Sequence, residues 1–191
     1  MPGAIMQLPW REFHPGQAIQ TSLTANEVAE LRRLSVNEDC LDIGTAFGFS
    51  AIAMAFGARH VVSVDTHDMF KSAETFARNV AEYGLEKKIT SVIGSTQQIL
   101  LCLPPEHFGL IFIDADHKEG SVFHDARHAM RLVAPRGHIC FHDYGEDGNP
   151  DVKKMVDRLL PGGRLIDTLY VKEVLNGVVR RHSHIDGGAP G

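Results

Sequence analysis

The sequence predicts an α/β fold, a single domain built on a doubly wound, mostly parallel seven-stranded sheet that ends in an antiparallel pair. Three observations predict it. Short apolar runs alternate with segments of helical spacing in the order βαβαβαβαβ, as a parallel sheet with crossover helices requires. One junction, Cys40 to Ser50, passes from an apolar strand through a glycine-bearing turn straight into an apolar helix. Finally, 191 residues with 43% apolar content suit one domain with a substantial core.

The elements follow in order. Residues 1–23 form an N-terminal arm, a lid or interface piece, because Pro2, Pro9 and Pro15 interrupt any regular structure. A helix starts at Thr24, whose hydroxyl caps it, with Glu27 at the reciprocal position of a capping box. Strands are expected near residues 39–43, 60–65, 88–93, 108–114 and 137–142, each short, apolar and followed by a turn or polar residue. Helical spacing falls between them at Ser50–Phe56, Met69–Tyr83, Ser95–Leu103 and Ser121–Val133, with Gly84 as a helix stop. After Asn149-Pro150 comes a helix over Asp151–Leu160, then two runs, Leu165–Val171 and Val174–Arg180, as the closing pair. The domain is expected to span 24–181, and the Gly- and His-rich residues 182–191 to form a flexible tail.

The glycine turn points to a nucleotide cofactor. A chain that reverses from strand to helix beside a ligand needs residues without Cβ bulk, and Gly44 and Gly48 supply them. The next strand ends in Asp65, seventeen residues after Gly48, close to where a doubly wound fold sets an acid on the ribose hydroxyls of an adenosine cofactor. A dinucleotide loop would read G-x-G-x-x-G. Here the glycines stand four apart with Ala46 between them, and no third glycine follows.

The run Leu41–Ala55, with Asp42 before the first glycine and Phe49-Ser50 after the second, resembles the first motif of class I S-adenosylmethionine-dependent methyltransferases, which have a Rossmann-like fold. The likeness extends over about residues 20–180 and is strongest to the catechol O-methyltransferase-like and sugar or macrolide O-methyltransferase branches. It implies cofactor contacts from Asp42, Gly44, Thr45, Gly48, Phe49 and Ser50, from Asp65 and Thr66, from Ser95 and Thr96 near the adenine, and from Asp114.

Ligands of an open parallel sheet sit outside the carboxyl ends of its strands. The fourth strand ends in Asp114-Ala115-Asp116-His117 and the fifth in His142-Asp143. Asp114, His142 and Asp143 offer two hard oxygen donors and one nitrogen, a set that suits Mg²⁺ or Mn²⁺. The resemblance implies the same three as metal ligands, with His142 standing where relatives carry a carboxylate. It also implies, from the Asp-x-x-His spacing of Asp114 and His117, that His117 is the general base. Asp114, His117 and His142 are therefore the candidate catalytic residues. Trp10, Phe13 and His14 are candidates to line an acceptor pocket. His124 and His128, four apart on one helix, are expected on a solvated face.

Composition narrows the partners. A net charge of −5 with interspersed signs gives no basic stripe for nucleic acid. No apolar run approaches the roughly 20 residues of a membrane span, and the N-terminus lacks a signal-peptide pattern, so a cytoplasmic protein is expected. Cys40, Cys102 and Cys140 read as buried reduced thiols. The resulting expectation is an O-methyltransferase using S-adenosyl-L-methionine, assisted by a divalent metal, acting on a small hydroxylated molecule such as a sugar or catechol-like diol, and capable of pairing as a homo-oligomer through its N-terminal arm. Two alternatives stand beside it: a nicotinamide-dependent oxidoreductase, and a methyltransferase-like module that binds without catalysis.

Overall fold

The computed structural model describes residues 19–175. Within them the chain runs α1 (Ala25–Leu34), β1 (Asp39–Ile43), α2 (Phe49–Ala55), β2 (His60–Asp65), α3 (Ala73–Glu82), β3 (Ile89–Ile93), α4 (Thr96–Cys102), β4 (Phe108–Ile113), α5 (Glu119–Leu132), β5 (Val133–Phe141), α6 (Pro150–Leu159), β6 (Arg164–Ile166) and β7 (Leu169–Glu173). One seven-stranded sheet has the order β3-β2-β1-β4-β5-β7-β6. The first five strands pair in parallel, and β7 runs antiparallel to both β5 and β6.

Alternation along the central strands divides the core into two layers. Leu110 and Phe112 of β4 pack with Leu31 of α1, Ile52 of α2 and Phe76 of α3. Ile111 and Ile113 face the other way, onto Leu100 of α4, Val122 of α5 and Met155 of α6. Every residue of β4 is buried, as a strand covered on both faces must be. At the start of α1 the capping box forms as expected, with the Thr24 hydroxyl accepting from the Glu27 amide and the Glu27 carboxylate accepting from the Thr24 amide.

Several boundaries differ from the sequence-based expectation. Helix α3 begins at Ala73 instead of Met69, because His67 and Lys71 hold positive φ values of 56° and 48° and keep the preceding segment in turns. β5 starts earlier, at Val133, where a register irregularity lets it pair with Phe108 before the regular ladder from Leu110 onward. The closing pair is also shifted: Asp167, at φ 53°, makes a two-residue turn with Thr168 inside the run expected to be one strand. Asp tolerates the left-handed conformation that such a turn needs.

The cysteines are free, and two are buried as expected, but Cys102 is exposed on the last turn of α4. The N-terminal arm with Trp10, Phe13 and His14, its expected contact with a neighbouring copy, the end of the second C-terminal run and the tail from His182 lie outside the described residues. No helix among the described residues is long and apolar enough to cross a membrane.

Candidate active site

The crevice opens where β1 and β4 lie side by side, because the chain leaves β1 for α2 on one face of the sheet and β4 for α5 on the other. Gly44, at φ +89°, begins the loop after β1. A Cβ there would lie 2.1 Å from the carbonyl oxygen of Asp114, so the loops after β1 and β4 touch backbone to backbone. Gly48, at φ 91°, is the N-cap of α2.

Around this loop the expected cofactor residues gather. Asp42 is completely buried, and the Ser50 hydroxyl donates to its Oδ2 at 2.9 Å. Its Oδ1 and the Thr45 Oγ1 are buried without a partner of hydrogen-bond geometry. Burial, opposed in part by the Thr45 and Ser50 hydroxyls, pushes the Asp42 carboxyl up to about 7. Asp65 ends β2 and ties the loop down: its Oδ2 accepts from the Ala46 amide at 2.8 Å and its Oδ1 from the His67 amide at 2.6 Å. The Gly94 amide donates to the Asp65 carbonyl at 2.9 Å, which brings the end of β3 alongside, with Ser95 as N-cap of α4 and Thr96 as its first residue. Phe49 and Ser50 are buried in the first turn of α2, whereas Thr66 is exposed and its hydroxyl accepts from the Asp68 amide at 3.3 Å. A buried carboxylate and a hydroxyl beside a glycine cradle fit a ligand that brings its own donors, as the amino-acid end of S-adenosylmethionine does.

The second half of the site lies at the ends of β4 and β5. Asp114, His117 and Asp143 each present a ligand atom, all within 4.8 Å of one another. The His117 Nε2 stands 2.9 Å from Asp143 Oδ2 and 3.5 Å from Asp114 Oδ1, yet it is aligned with neither as a hydrogen bond. The two carboxylates and the imidazole converge on a common point, an arrangement that suits donors for a divalent cation. The Asp114 and Asp143 contacts push His117 up to about 9, against its partial burial. Burial raises both carboxyls, but the two imidazoles win and hold Asp114 and Asp143 below the usual carboxylate range.

His142 is arranged differently from the other expected ligands. Its side chain is 2% exposed, with Nδ1 2.8 Å from Asp143 Oδ1 and 3.6 Å from Asp114 Oδ2, and Nε2 3.3 Å from Glu27 Oε2. Burial favours the neutral ring, but the three carboxylates of Asp114, Asp143 and Glu27 outweigh it and push His142 up to about 12. Both ring nitrogens thus face carboxylates, and His142 stands outside the group of Asp114, His117 and Asp143 whose ligand atoms converge. Glu27 is the residue that sequence reasoning missed here, having been read only as a cap. Its partners His142 and Thr168 lie 115 and 141 positions away, and no local pattern announces them. His124 and His128 also differ from expectation: they are partly buried, and His124 faces α4 with its Nε2 3.4 Å from the Thr96 carbonyl.

A seven-stranded sheet in this order, with β7 inserted antiparallel between β5 and β6, is the architecture of class I S-adenosylmethionine-dependent methyltransferases. The fold is shared with the O-methyltransferase TomG of Streptomyces achromogenes, solved in complex with SAM, at a TM-score of 0.66 and 20% identity over 81% of this chain and 82% of that one. A family model described as a methyltransferase domain matches residues 41–144, from β1 to the residue after Asp143, and the chain belongs to that family. A catechol O-methyltransferase of Mycobacterium tuberculosis is 32% identical over 145 residues, 66% of this chain and 64% of its own length. The O-methyltransferase imqG of Aspergillus flavus is 27% identical over 143 residues, 71% of this chain and 51% of its own length. The matched region thus spans about half to two thirds of the relatives' lengths.

Proposed function

We propose that this chain is an S-adenosylmethionine-dependent O-methyltransferase that methylates one hydroxyl of a small acceptor, a sugar or a catechol-like diol, with the help of Mg²⁺ or Mn²⁺. The observation that carries this reading is the convergence of Asp114, His117 and Asp143 at the end of the sheet, with the Asp114 carbonyl packed against Gly44 of the cofactor loop. The activities of the two relatives support the same reaction class.

Asp42, Gly44, Thr45, Gly48, Phe49 and Ser50 hold the amino-acid end of the cofactor, Asp65 and Thr66 its ribose, and Ser95 and Thr96 its adenine. When bound, the cofactor supplies a methyl group on a sulfonium, activated for in-line displacement. Asp114 and Asp143 hold the divalent ion, whose charge lowers the pKa of an acceptor hydroxyl. The His117 side chain is 33% exposed, with its Nε2 buried against the two carboxylates. In its neutral form its Nε2 takes the hydroxyl proton as the acceptor oxygen forms its bond to the methyl carbon and the carbon–sulfur bond breaks. Positioning of the two reactants by rigid strand ends supplies much of the remaining acceleration.

The test combines thermal melts with turnover. S-adenosylhomocysteine at about a hundred times its dissociation constant stabilises by roughly 2.7 kcal/mol, a shift of several degrees for a domain of this size. The expected result is a shift with S-adenosylhomocysteine, a further shift with Mn²⁺ that is lost in Asp114→Ala, and methylated product from catechol or a sugar diol. Stabilisation by NAD instead of S-adenosylhomocysteine would overturn the reading in favour of an oxidoreductase. Cofactor binding without product from any acceptor would leave a binding module.

A further inference from the structure

A capping-box glutamate ordinarily reaches back to the N-cap amide from the solvated edge of a helix. Glu27 makes that contact, accepting from the Thr24 amide at 2.8 Å, but its side chain is 0% exposed. Its Oε1 accepts from both the amide and the hydroxyl of Thr168, at 2.9 and 2.8 Å, and its Oε2 meets His142 Nε2 at 3.3 Å. Capping explains only the first of these contacts. A carboxylate taken fully out of water is costly unless charge and hydrogen bonds compensate it, and here the contacts come from Thr24, from Thr168 and from the imidazole that adjoins the catalytic cluster.

The far side of that imidazole meets Asp143 as an ion-pair contact, with His142 Nδ1 2.8 Å from Oδ1 but not aligned as a hydrogen bond. The other oxygen, Oδ2, is the one beside His117, and it also accepts from Asn149 Nδ2 at 3.3 Å. Asp143 holds φ at 58°, in the left-handed region that aspartate tolerates better than most residues. Thr168 closes the arrangement, since its carbonyl accepts from the Tyr144 amide at 3.0 Å. The β6–β7 turn is therefore fastened both to Glu27 and to the residue after Asp143.

We propose that Glu27 is a positioning residue for the catalytic cluster: by holding Nε2 of His142 it fixes the ring so that Nδ1 engages Asp143 Oδ1, leaving Oδ2 turned toward Asp114 and His117. His142 then stands behind the cluster, with Nε2 turned to Glu27 and Nδ1 to Asp143. The inference rests on the reading of Asp114, His117 and Asp143 as the ion site. Outer-shell partners of this kind change metal affinity when removed, because they set the direction of the ligating oxygen.

The experiment uses the full chain with Glu27→Gln, His142→Asn, their double variant, and Thr24→Val as a control. Thr24→Val deletes the hydroxyl that accepts from the Glu27 amide and binds Asp167, and spares the Glu27 carboxylate. Mn²⁺ alone is titrated by calorimetry, S-adenosylhomocysteine in parallel, and the His142 ring is followed by nitrogen-detected NMR in metal-free protein. Expected results are a tenfold or greater loss of Mn²⁺ affinity in Glu27→Gln, no further loss in the double variant beyond His142→Asn, and affinity within about twofold of wild type in Thr24→Val despite its lower melting temperature. S-adenosylhomocysteine affinity stays within about twofold throughout. In the NMR arm, a slowly exchanging low-field Nε2 proton of His142 is lost or moves upfield in Glu27→Gln and persists in Thr24→Val. Should Glu27→Gln fail to fold, Glu27→Asp, which keeps the charge and withdraws it from the ring, is expected to show the same losses. An unchanged ring signal in the Glu27 variant, or Mn²⁺ affinity equal to wild type or to the control, overturns the proposal. A wild-type protein that takes no Mn²⁺ but shows the ring effects removes the ion reading and leaves the positioning role standing.

Discussion

Gly44→Ala tests the backbone contact between the loops after β1 and β4. The added methyl would meet Asp114 O at 2.1 Å, Asp114 C at 2.6 Å and Ala115 Cα at 2.8 Å, all backbone atoms that no rotamer change can remove. Two costs follow. Holding an alanine at φ +89° costs about 1–3 kcal/mol, and forcing a methyl into a packed backbone contact costs about a further 1–3 kcal/mol. A domain of this size loses about 2–4 °C per kcal/mol, so the melting temperature is expected to fall by roughly 10 °C. Gly84→Ala is the internal control, because Gly84 also has positive φ, +64°, but nothing within 4 Å of the added carbon. It should lose only about 1 kcal/mol, or a few degrees. Urea unfolding of both variants separates the steric term from the backbone term, and an S-adenosylhomocysteine titration should show weakened binding in Gly44→Ala alone. Equal stability of the two variants would refute the claim that the loops after β1 and β4 are in backbone contact.

Asp42→Asn keeps the shape of a fully buried carboxyl already pushed up to about 7, so urea unfolding should move by less than about 1 kcal/mol, while calorimetry should show S-adenosylhomocysteine affinity reduced at least about tenfold. His117→Ala should lower kcat by about 10²–10⁴ with cofactor affinity unchanged; a parallel Mn²⁺ titration shows whether Nε2 serves as base alone or also binds the ion. For metal-free protein, the shifts of His142 from 6.5 to about 12 and of His117 from 6.5 to about 9 contribute stability that is complete below 6.5 and lost as pH rises through those values. Glu27, lowered from 4.5 to about 2, contributes stability that is complete above 4.5 and lost as pH falls toward 2. Melts across pH should therefore show the alkaline limb flattened in His142→Asn and the acid limb below 4.5 flattened in Glu27→Gln, relative to wild type.

Most of the sheet was legible because its signals are local. Leu41-Asp42-Ile43 followed by two glycines leaves little choice but a buried strand and a tight turn, and β1 and β2 occupy the residue ranges read from the sequence. Asp65 was legible from spacing alone, although its carboxylate first serves to hold the Ala46 and His67 amides. The hairpin of β6 and β7 was misplaced because apolar character continues through Leu165, Ile166 and Leu169, while the turn depends on one residue, Asp167, adopting a backbone conformation that composition does not disclose.

The division of labour among the polar residues at the ends of β4 and β5 was not legible, for a related reason. Spacing puts Asp114, His117, His142 and Asp143 at neighbouring strand ends, but the role of each depends on what faces it from the other side. His142 faces Glu27, contributed by a helix 115 positions earlier and on the α1–α3 face of the sheet. Glu27 adds a third carboxylate to the two that Asp114 and Asp143 already set against this ring, and it alone of the three reaches Nε2. The orientation of His142 therefore depends on the first helix of the fold, which the short motif at the end of β5 does not disclose.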